Sequence, residues 1–284
     1  MILKRKRFNI LPITIAVISF IIFILIIIRY TEFSYEKTEK EIRGNLYDLL
    51  VSKKSQLEKA LYSRVYYTKG VAAYCAINNG ITNEKFYELT DELIKNDTVI
   101  GTMGLSKDCI IGAIYPLKGH EAAIGVNLLE HPQRKLIVEQ TIVTKNTFIA
   151  GPVELVEGGI AFISYTPIFT TLQENKNNFW GVTDIVILKD KLFNEIKLKT
   201  HNQVYKFALK GVDGTGTNGA CFWGDSTIFN NNPVTVKVLL PTGYWVFAGM
   251  PITGWESYTD NNSLITRLLY ISAFIISFLI WLLV

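Results

Sequence analysis

The sequence predicts an α+β protein with a long N-terminal helix, antiparallel sheets and an apolar membrane helix near each end. Apolar residues recur at three- and four-residue steps between about 32 and 78, which is the period of an amphipathic helix. Short apolar runs bounded by Gly, Asp and Pro then follow, which is typical of strands joined by turns. Several strands with few helices between them favour antiparallel sheets that carry helices on one side.

The first apolar segment, residues 8–29, is predicted to be an uncleaved membrane anchor. No charge occurs between Leu11 and Ile28, and about 20 apolar residues cross the hydrocarbon core of a bilayer. A cleaved signal peptide has a shorter apolar core of about 7–15 residues followed by small residues, whereas Arg29 and Tyr30 follow here. A buried core helix is disfavoured because it is seldom apolar on every side over such a length.

The second apolar segment, residues 264–284, is predicted to return the chain across the membrane. About 17 residues follow Arg267, which is the short end of a spanning helix. Basic residues at 4–7 directly precede the first segment, and positive charge beside a first span stays in the cytoplasm. We therefore expect a two-pass protein of the inner (cytoplasmic) membrane, with residues 1–7 inside and 30–263 outside.

The net charge of +4 arises from the flanks of the two apolar segments. Six of the 29 basic residues lie at 4–7, Arg29 and Arg267, and all 25 acidic residues lie between 31 and 263. The outer part therefore has 23 basic and 25 acidic residues. It lacks the clustered positive patch that nucleic acid requires, so no nucleic-acid partner is expected.

The predicted stalk helix, about residues 32–78, continues directly from the first span. A helix of about 40 residues is long for a globular protein and favours a coiled coil or a stalk. Its apolar stripe consists of Ile42, Leu46, Leu49, Leu50, Leu57, Leu61 and Val65. This stripe is the seam of a homodimer or the face that packs against its own domain, and both can hold along different parts of the helix.

Beyond Asn79 and Gly80, which indicate a helix stop, strands and short helices divide into two lobes, a distal lobe at about 79–172 and a proximal lobe at about 173–258. For the distal lobe we expect helices at 81–95 and 131–144, strands at 99–105, 109–115, 148–156 and 159–169, and a hairpin turn at 106–108. For the proximal lobe we expect a polar loop at 175–178, strands at 179–188, 204–210, 235–240 and 244–250, a short helix from Asp190 and a Gly-rich loop at 211–219.

The three cysteines are too few for a disulfide framework. Cys75, Cys109 and Cys221 are either buried as small apolar side chains or include one disulfide in an oxidising compartment. Their spacings match no zinc site, so neither a metal nor another cofactor is expected.

Seven segments of the outer part carry a specific pattern. The two longest are IYPLKGHEAAIGVNLL at 114–129 and GPVELVEGG at 151–159. The others are YTPIF at 165–169, FWGV at 179–182, FWGD at 222–225, LPTGYW at 240–245 and PITGW at 251–255. In this order the segments resemble the CHASE domain, the extracellular sensory module of many bacterial histidine kinases and diguanylate cyclases.

The resemblance implies two stacked PAS-like lobes on a long N-terminal helix between two transmembrane helices, with the distal lobe as the usual ligand lobe. Ligand pockets are mostly apolar with a few placed polar groups, so polar and aromatic residues of the distal lobe are the candidates. The predicted ligand-binding residues are Tyr115, Lys118, His120, Asn127, Phe148, Glu154, Phe162 and Tyr165.

Lys118 separates the sequence from the plant cytokinin receptors, which are distant relatives that bind adenine-type hormones. Those relatives hold the adenine ring with an acidic residue at the position that aligns with Lys118. A lysine instead favours an anionic group, so we do not expect a cytokinin-like ligand.

The sequence contains no recognisable catalytic motif, and no enzyme activity is predicted. The three histidines lie far apart and make no HExxH motif, and no GxSxG motif occurs. The Gly-rich run at 214–219 lacks the Lys-Ser/Thr of a phosphate-binding loop.

Two functional hypotheses remain. In the first, the chain is a receptor input domain that binds an unknown small molecule, which then favours one of two helix arrangements. In the second, it is an anchored interaction protein that binds an envelope or membrane partner through an exposed apolar patch. A kinase or cyclase module would lie in the same, longer chain or belong to a separate partner.

Overall fold

The computed structural model describes residues 10–155, 158–170, 178–256 and 263–283. The chain divides into two compact units, one of Leu46–Met250 and one of Met1–Asn45 with Pro251–Val284. The predicted cytoplasmic segment 1–7, the start of the first span at 8–9, most of the polar loop at 175–177, and Val284 lie outside the described residues.

Helix α1 (Leu11–Asn78) has 68 residues and contains both the predicted stalk and most of the predicted first span. It ends where Asn79 and Gly80 take positive φ values of 58° and 118°. The Gly80 N–H donates to the Cys75 carbonyl at 2.8 Å, which is the 6→1 bond of a Schellman motif. The Asn-Gly pair therefore ends the helix where the sequence indicates a stop.

The distal lobe begins with helix α2 (Asn83–Ile94), whose N-cap Thr82 accepts a hydrogen bond from the Lys85 N–H at 3.3 Å. Its sheet contains β1 (Ile100–Lys107), β2 (Ile110–Tyr115), β3 (Phe148–Glu154), β4 (Ile160–Thr170) and β5 (Asn178–Leu188). The strands pair antiparallel in the order β2-β1-β5-β4-β3. Helix α3 (Lys135–Thr144) connects β2 to β3.

The β1–β2 hairpin turn lies later than the sequence predicts. Ser106 and Lys107, which were expected in the turn, still pair with β2. The chain reverses at Asp108 and Cys109, whose φ values of 51° and 67° are positive. Asp tolerates this conformation better than most residues do, so it can hold the first turn position.

The proximal lobe follows helix α4 (Lys189–Glu195). The strand 179–188, which was predicted for the proximal lobe, is instead β5 of the distal sheet, because it pairs with both β1 and β4. Its sheet contains β6 (Tyr205–Lys210), β7 (Cys221–Gly224), β8 (Val234–Leu239) and β9 (Tyr244–Pro251), in the order β7-β6-β9-β8. Strand β7 was not predicted, because its four residues are too few to show a period. The Gly-rich segment at 211–219, predicted as a loop, contains two short 3-10 turns. The predicted α+β fold with two antiparallel sheets is confirmed.

Within the unit that holds both ends of the chain, the first part of α1 contacts helix α5 (Ser263–Leu283). The Ser19 hydroxyl donates to the Ser277 hydroxyl at 3.4 Å, and Phe20 meets Phe274 edge to face. By length and composition each of the two helices contains a stretch of at least 18 residues that is suited to cross a membrane.

The apolar stripe of α1 is buried in its own unit over most of its length. Its fully buried members are Leu46, Leu50, Leu57, Leu61 and Val65. For these members the structure therefore shows that the stripe packs against its own domain. A homodimer seam on α1 would have to use another face of the helix.

The three cysteines are free, and Cys75 and Cys109 are fully buried. Burial raises the pKa of the Cys75 thiol to about 12 and that of the Cys109 thiol to about 11. Both therefore behave as small apolar side chains, the first of the two alternatives that the sequence leaves open.

Arg64 joins α1 to two other elements, although its side chain is only 6% exposed. Its guanidinium donates to Asp97 Oδ1 at 2.9 Å and to Glu195 Oε2 at 2.6 Å. Asp97 lies just before β1, and Glu195 is the last residue of α4. Burial alone would lower the pKa of Arg64, but the two carboxylates raise it above its usual value.

The substitution Arg64→Met should destabilise the protein, because it leaves two carboxylates without their cation. Breaking a buried pair costs about 3–5 kcal/mol. We expect about 2 kcal/mol here, since Glu195 is 44% exposed. Thermal unfolding should show a fall in Tm of about 4–8 °C. Lys85→Met, which removes a solvent-exposed pair with Glu88, is the matched control and should change the Tm little. Equal effects of the two substitutions would contradict the role of Arg64.

Candidate functional site

A cavity of about 360 Å³, here called the distal cavity, lies on one face of the distal sheet. Its polar lining residues are Thr102, His120, His131, Arg134 and Asp184. Its other lining residues are Gly104, Ile111, Ile114, Gly119, Ala122, Ala123, Val126, Leu155, Ile163 and Val186. Strands β1, β2, β4 and β5 form the floor, and the segment 119–134 contributes most of the remaining wall. A mostly apolar cavity of this size with a few polar groups suits a small ligand.

Asp184 is the central charged group of the cavity floor. In the sheet register it lies directly opposite Gly104 on β1 and Tyr165 on β4. An ideal Cβ at Gly104 would lie 2.5 Å from Asp184 Oδ1, so only glycine leaves room for the carboxylate there. Asp184 is 8% exposed, and its Oδ1 has no hydrogen-bond partner among the described residues.

The burial of Asp184 changes its acidity. Loss of solvation raises the pKa of the carboxyl from 3.8 to about 6, and Arg134 partly opposes this shift. The buried hydroxyl of Tyr165 also lacks a partner within the described part of the chain. Two polar groups on adjacent strands are therefore left without the hydrogen bonds that buried polar groups normally make.

Arg134 brings a positive charge to the same cavity. It lies in the turn before α3, where its N–H and that of Lys135 both donate to the His131 carbonyl at 3.0 Å. This turn is why α3 begins at Lys135 and not at the predicted His131. The Arg134 guanidinium makes no hydrogen bond or ion pair with a described residue. Burial raises the pKa of both Asp184 and Tyr165, and the positive charge of Arg134 partly opposes that rise.

Of the eight residues predicted to bind ligand, one lines this cavity and one lies in the core next to it. His120 lines the distal cavity. Tyr165 is buried on the floor face, paired across the sheet with Asp184. Their contact with a ligand stays a prediction.

The other six predicted residues lie away from the cavity lining. Tyr115 donates its hydroxyl hydrogen bond to Asp91 on α2, and Asn127 bonds Glu130 and the Leu129 N–H in its own turn. Lys118 and Glu154 are exposed, and Phe148 packs at the edge of the apolar cluster of the distal lobe. Phe162 points to the opposite face of the sheet, where it meets Phe193, Phe222 and Trp245.

Asp184, Arg134 and Gly104 were not among the predicted site residues. A signal for Asp184 was present, because it is the only charged residue in the apolar strand 179–188 and buried charges are rare. No comparable signal marks Arg134, which stands among other polar residues at the start of a helix.

The substitution Asp184→Asn should stabilise the ligand-free protein at high pH. The folded-state pKa of about 6 exceeds the unfolded value of 3.8, so the folded state binds more protons between these values. Ionised Asp184 therefore destabilises the fold above pH 6 by about 3 kcal/mol. This penalty disappears as the pH falls to 4.

Thermal unfolding at pH 8 and pH 4 would test this expectation. Asp184→Asn should raise the Tm at pH 8 and leave it nearly unchanged at pH 4. Asp190→Asn changes an aspartate that is 82% exposed and should have little effect at either pH. A lower Tm for Asp184→Asn at pH 8 would show that the carboxylate is satisfied in the ligand-free protein.

Comparisons with solved structures show the same fold. One match is an extracellular ligand-binding receptor from Desulfohalobium retbaense, at 12% identity and a TM-score of 0.55. The match covers 71% of this chain and 39% of that protein. It is 10% identical to the ligand-binding domain of the Pseudomonas aeruginosa amino acid chemoreceptor PctC in complex with GABA (TM-score 0.55, 73% of the chain and 99% of that domain). The periplasmic sensory domain of the Campylobacter jejuni chemoreceptor Tlp1 matches at 11% identity (TM-score 0.51, 76% and 97%).

Sequence comparison gives the family. No curated protein matches the chain. The CHASE domain model matches residues 80–223, which is 144 of the 284 residues and includes every lining residue of the distal cavity. The chain therefore belongs to the CHASE domain family and is an extracellular sensor domain of a signalling receptor.

Proposed function

We propose that the chain is the input part of a receptor that binds a zwitterionic, amino-acid-like ligand in the distal cavity. The observation that carries this proposal is a pair of unpartnered opposite charges in one cavity, the Asp184 carboxylate and the Arg134 guanidinium. A buried ionised group without partners is strongly disfavoured, which applies to Asp184. Arg134 is half-buried, so its guanidinium is available to a ligand in the same cavity.

The chemistry of the two groups specifies the ends of the ligand. An ammonium group supplies donors to Asp184, whose Oδ1 has no partner among the described residues. A ligand carboxylate matches the fork of N–H donors that Arg134 presents. One molecule with both groups therefore satisfies both charges, and the cavity of about 360 Å³ has room for an amino acid.

Proteins of the same fold support this ligand class. The solved domain of PctC contains GABA, that of PctB contains L-Arg, and that of Tlp3 contains isoleucine. These three matches have TM-scores of 0.52 or more at 10–11% identity, so they show the fold and do not by themselves name a ligand.

We propose that α1 and α5 anchor the receptor in the inner membrane, with the N-terminus in the cytoplasm. Basic residues at 4–7 support this orientation. A change in the sensor would then reach the cytoplasm through helices rather than through catalysis by the sensor itself. The output would come from a kinase or cyclase module, in the same longer chain or in a partner.

We further propose that the receptor is a homodimer through the exposed face of α1. Tyr66, Gly70, Ala73 and Ile77 follow four-, three- and four-residue steps, which is the spacing of a coiled-coil seam. Tyr66 is 60% exposed and Ile77 is 79% exposed. Gly70 has open space where a Cβ would lie, so its own fold does not require a glycine. Mid-helix glycine costs about 1 kcal/mol relative to alanine, and close approach of a second helix would explain its presence.

Ligand binding can be tested by calorimetry on the full chain in nanodiscs with a set of L-amino acids. At least one should bind, and Asp184→Asn and Arg134→Gln should each weaken it about 100-fold, because each leaves a ligand charge unpaired. Lys135→Gln changes the exposed neighbouring cation and should have an effect below about threefold. Failure of every amino acid to bind would overturn the proposed ligand class.

The homodimer can be tested by disulfide cross-linking in membranes. Ala73→Cys lies in the centre of the proposed seam and should give a covalent dimer under mild oxidation. Thr235→Cys is also exposed but belongs to β8 and not to the proposed seam, and should remain monomeric, as should the parent chain with its three native cysteines. Equal cross-linking of both variants would contradict the seam.

A further inference from the structure

We infer that the distal cavity selects ligands whose side chain is uncharged and aliphatic, with Ile163 and Val186 as specificity-determining residues. The inference rests on the proposed function, since it assumes that the head of the ligand lies between Asp184 and Arg134. It adds to that proposal the kind of ligand side chain that fills the rest of the cavity.

The positions of Ile163 and Val186 follow from the sheet register. Ile163 on β4 lies directly opposite Val186 on β5. Val186 is two residues from Asp184, on the same face of the same strand, so it lies about 7 Å along the strand from the carboxylate. Both residues line the cavity. An ammonium held by Asp184 therefore places the adjoining side chain within reach of this aliphatic pair.

The surroundings extend the same apolar surface. Leu155 contributes to the lining from beyond β3, and Ile111 and Ile114 contribute from β2. Ala123 and Val126 contribute from the opposite wall. An aliphatic side chain of three or four carbons would bury its surface against these groups, which is the main favourable contribution that such a pocket offers.

The charges of the cavity disfavour ligands whose side chain is basic or acidic. The described lining holds one carboxylate and one guanidinium, and the head of a zwitterion uses both. A lysine or arginine side chain would then lie near aliphatic groups without a second carboxylate. An acidic side chain would meet only His120 and His131, and burial together with Arg134 lowers the pKa of His131, which disfavours its charged form. An unpaired charge in such a place is strongly disfavoured.

Calorimetry on the full chain in nanodiscs would test the selectivity directly. L-valine, L-leucine or L-isoleucine should bind at least tenfold more tightly than L-alanine, since each buried methylene contributes about tenfold or more. L-lysine and L-glutamate should bind at least 100-fold more weakly than the best aliphatic ligand. Tighter binding of L-lysine or L-glutamate would overturn the selectivity while leaving the proposed function intact. Absence of binding by every amino acid would overturn both.

Two matched substitutions on β5 separate specificity from stability. Val186→Thr places a hydroxyl in the proposed aliphatic subsite and should weaken the best aliphatic ligand about tenfold, with less than threefold effect on L-alanine. Val182→Thr makes the same chemical change two residues on the other side of Asp184, in the core of the lobe and outside the cavity lining. It should leave the ratio of the two affinities unchanged. The same loss in both variants, or no loss in Val186→Thr, would overturn the assignment.

Discussion

The buried guanidinium of Arg64 is the interaction on which the arrangement of the distal lobe depends. It holds Asp97, at the entry to β1, and Glu195, at the end of the helix that leaves β5. The same two strands are joined at this end, where the Leu188 N–H donates to the Val99 carbonyl at 2.9 Å. They are also the strands that carry Gly104 and Asp184. The ends of these two strands are therefore tied to α1 through the Arg64 guanidinium.

Arg64 and Asp184 are both buried charges, but they differ in whether the fold supplies them with partners. Burial disfavours the charged form of each. The terminal nitrogens of Arg64 have two carboxylate partners and the Ala60 carbonyl at 2.8 Å. The fold therefore neutralises its charge, although its Nε has no partner among the described residues. Asp184 Oδ1 has no partner among the described residues. A buried carboxylate that destabilises the ligand-free protein persists more readily when a ligand supplies the missing donors.

The sequence predicted the elements better than the site, and the reason is register. The period of α1, the Asn79–Gly80 stop and the apolar runs of β1, β4 and β5 are local signals, and local signals suffice for elements. Which face of a strand points into a cavity depends on pairing, and adjacent residues face opposite sides. Tyr165 and Phe162, three positions apart, were equal candidates by residue type. The pairing places Tyr165 beside Asp184 and Phe162 against Trp245 on the other face.

A second polar connection joins the cavity floor to α1 and shows how binding could be read out. The Thr68 hydroxyl on α1 lies 2.7 Å from that of Thr166, which follows Tyr165 on β4, and Thr166 lies 3.1 Å from Thr147. Thr147 in turn accepts a hydrogen bond from Thr242 of the proximal lobe at 2.9 Å. A ligand changes a conformation only through contacts that differ between two states. Because β4 carries the cavity residue Ile163 and contacts α1 through the buried Thr166 hydroxyl, a shift of this strand alters the contacts of α1.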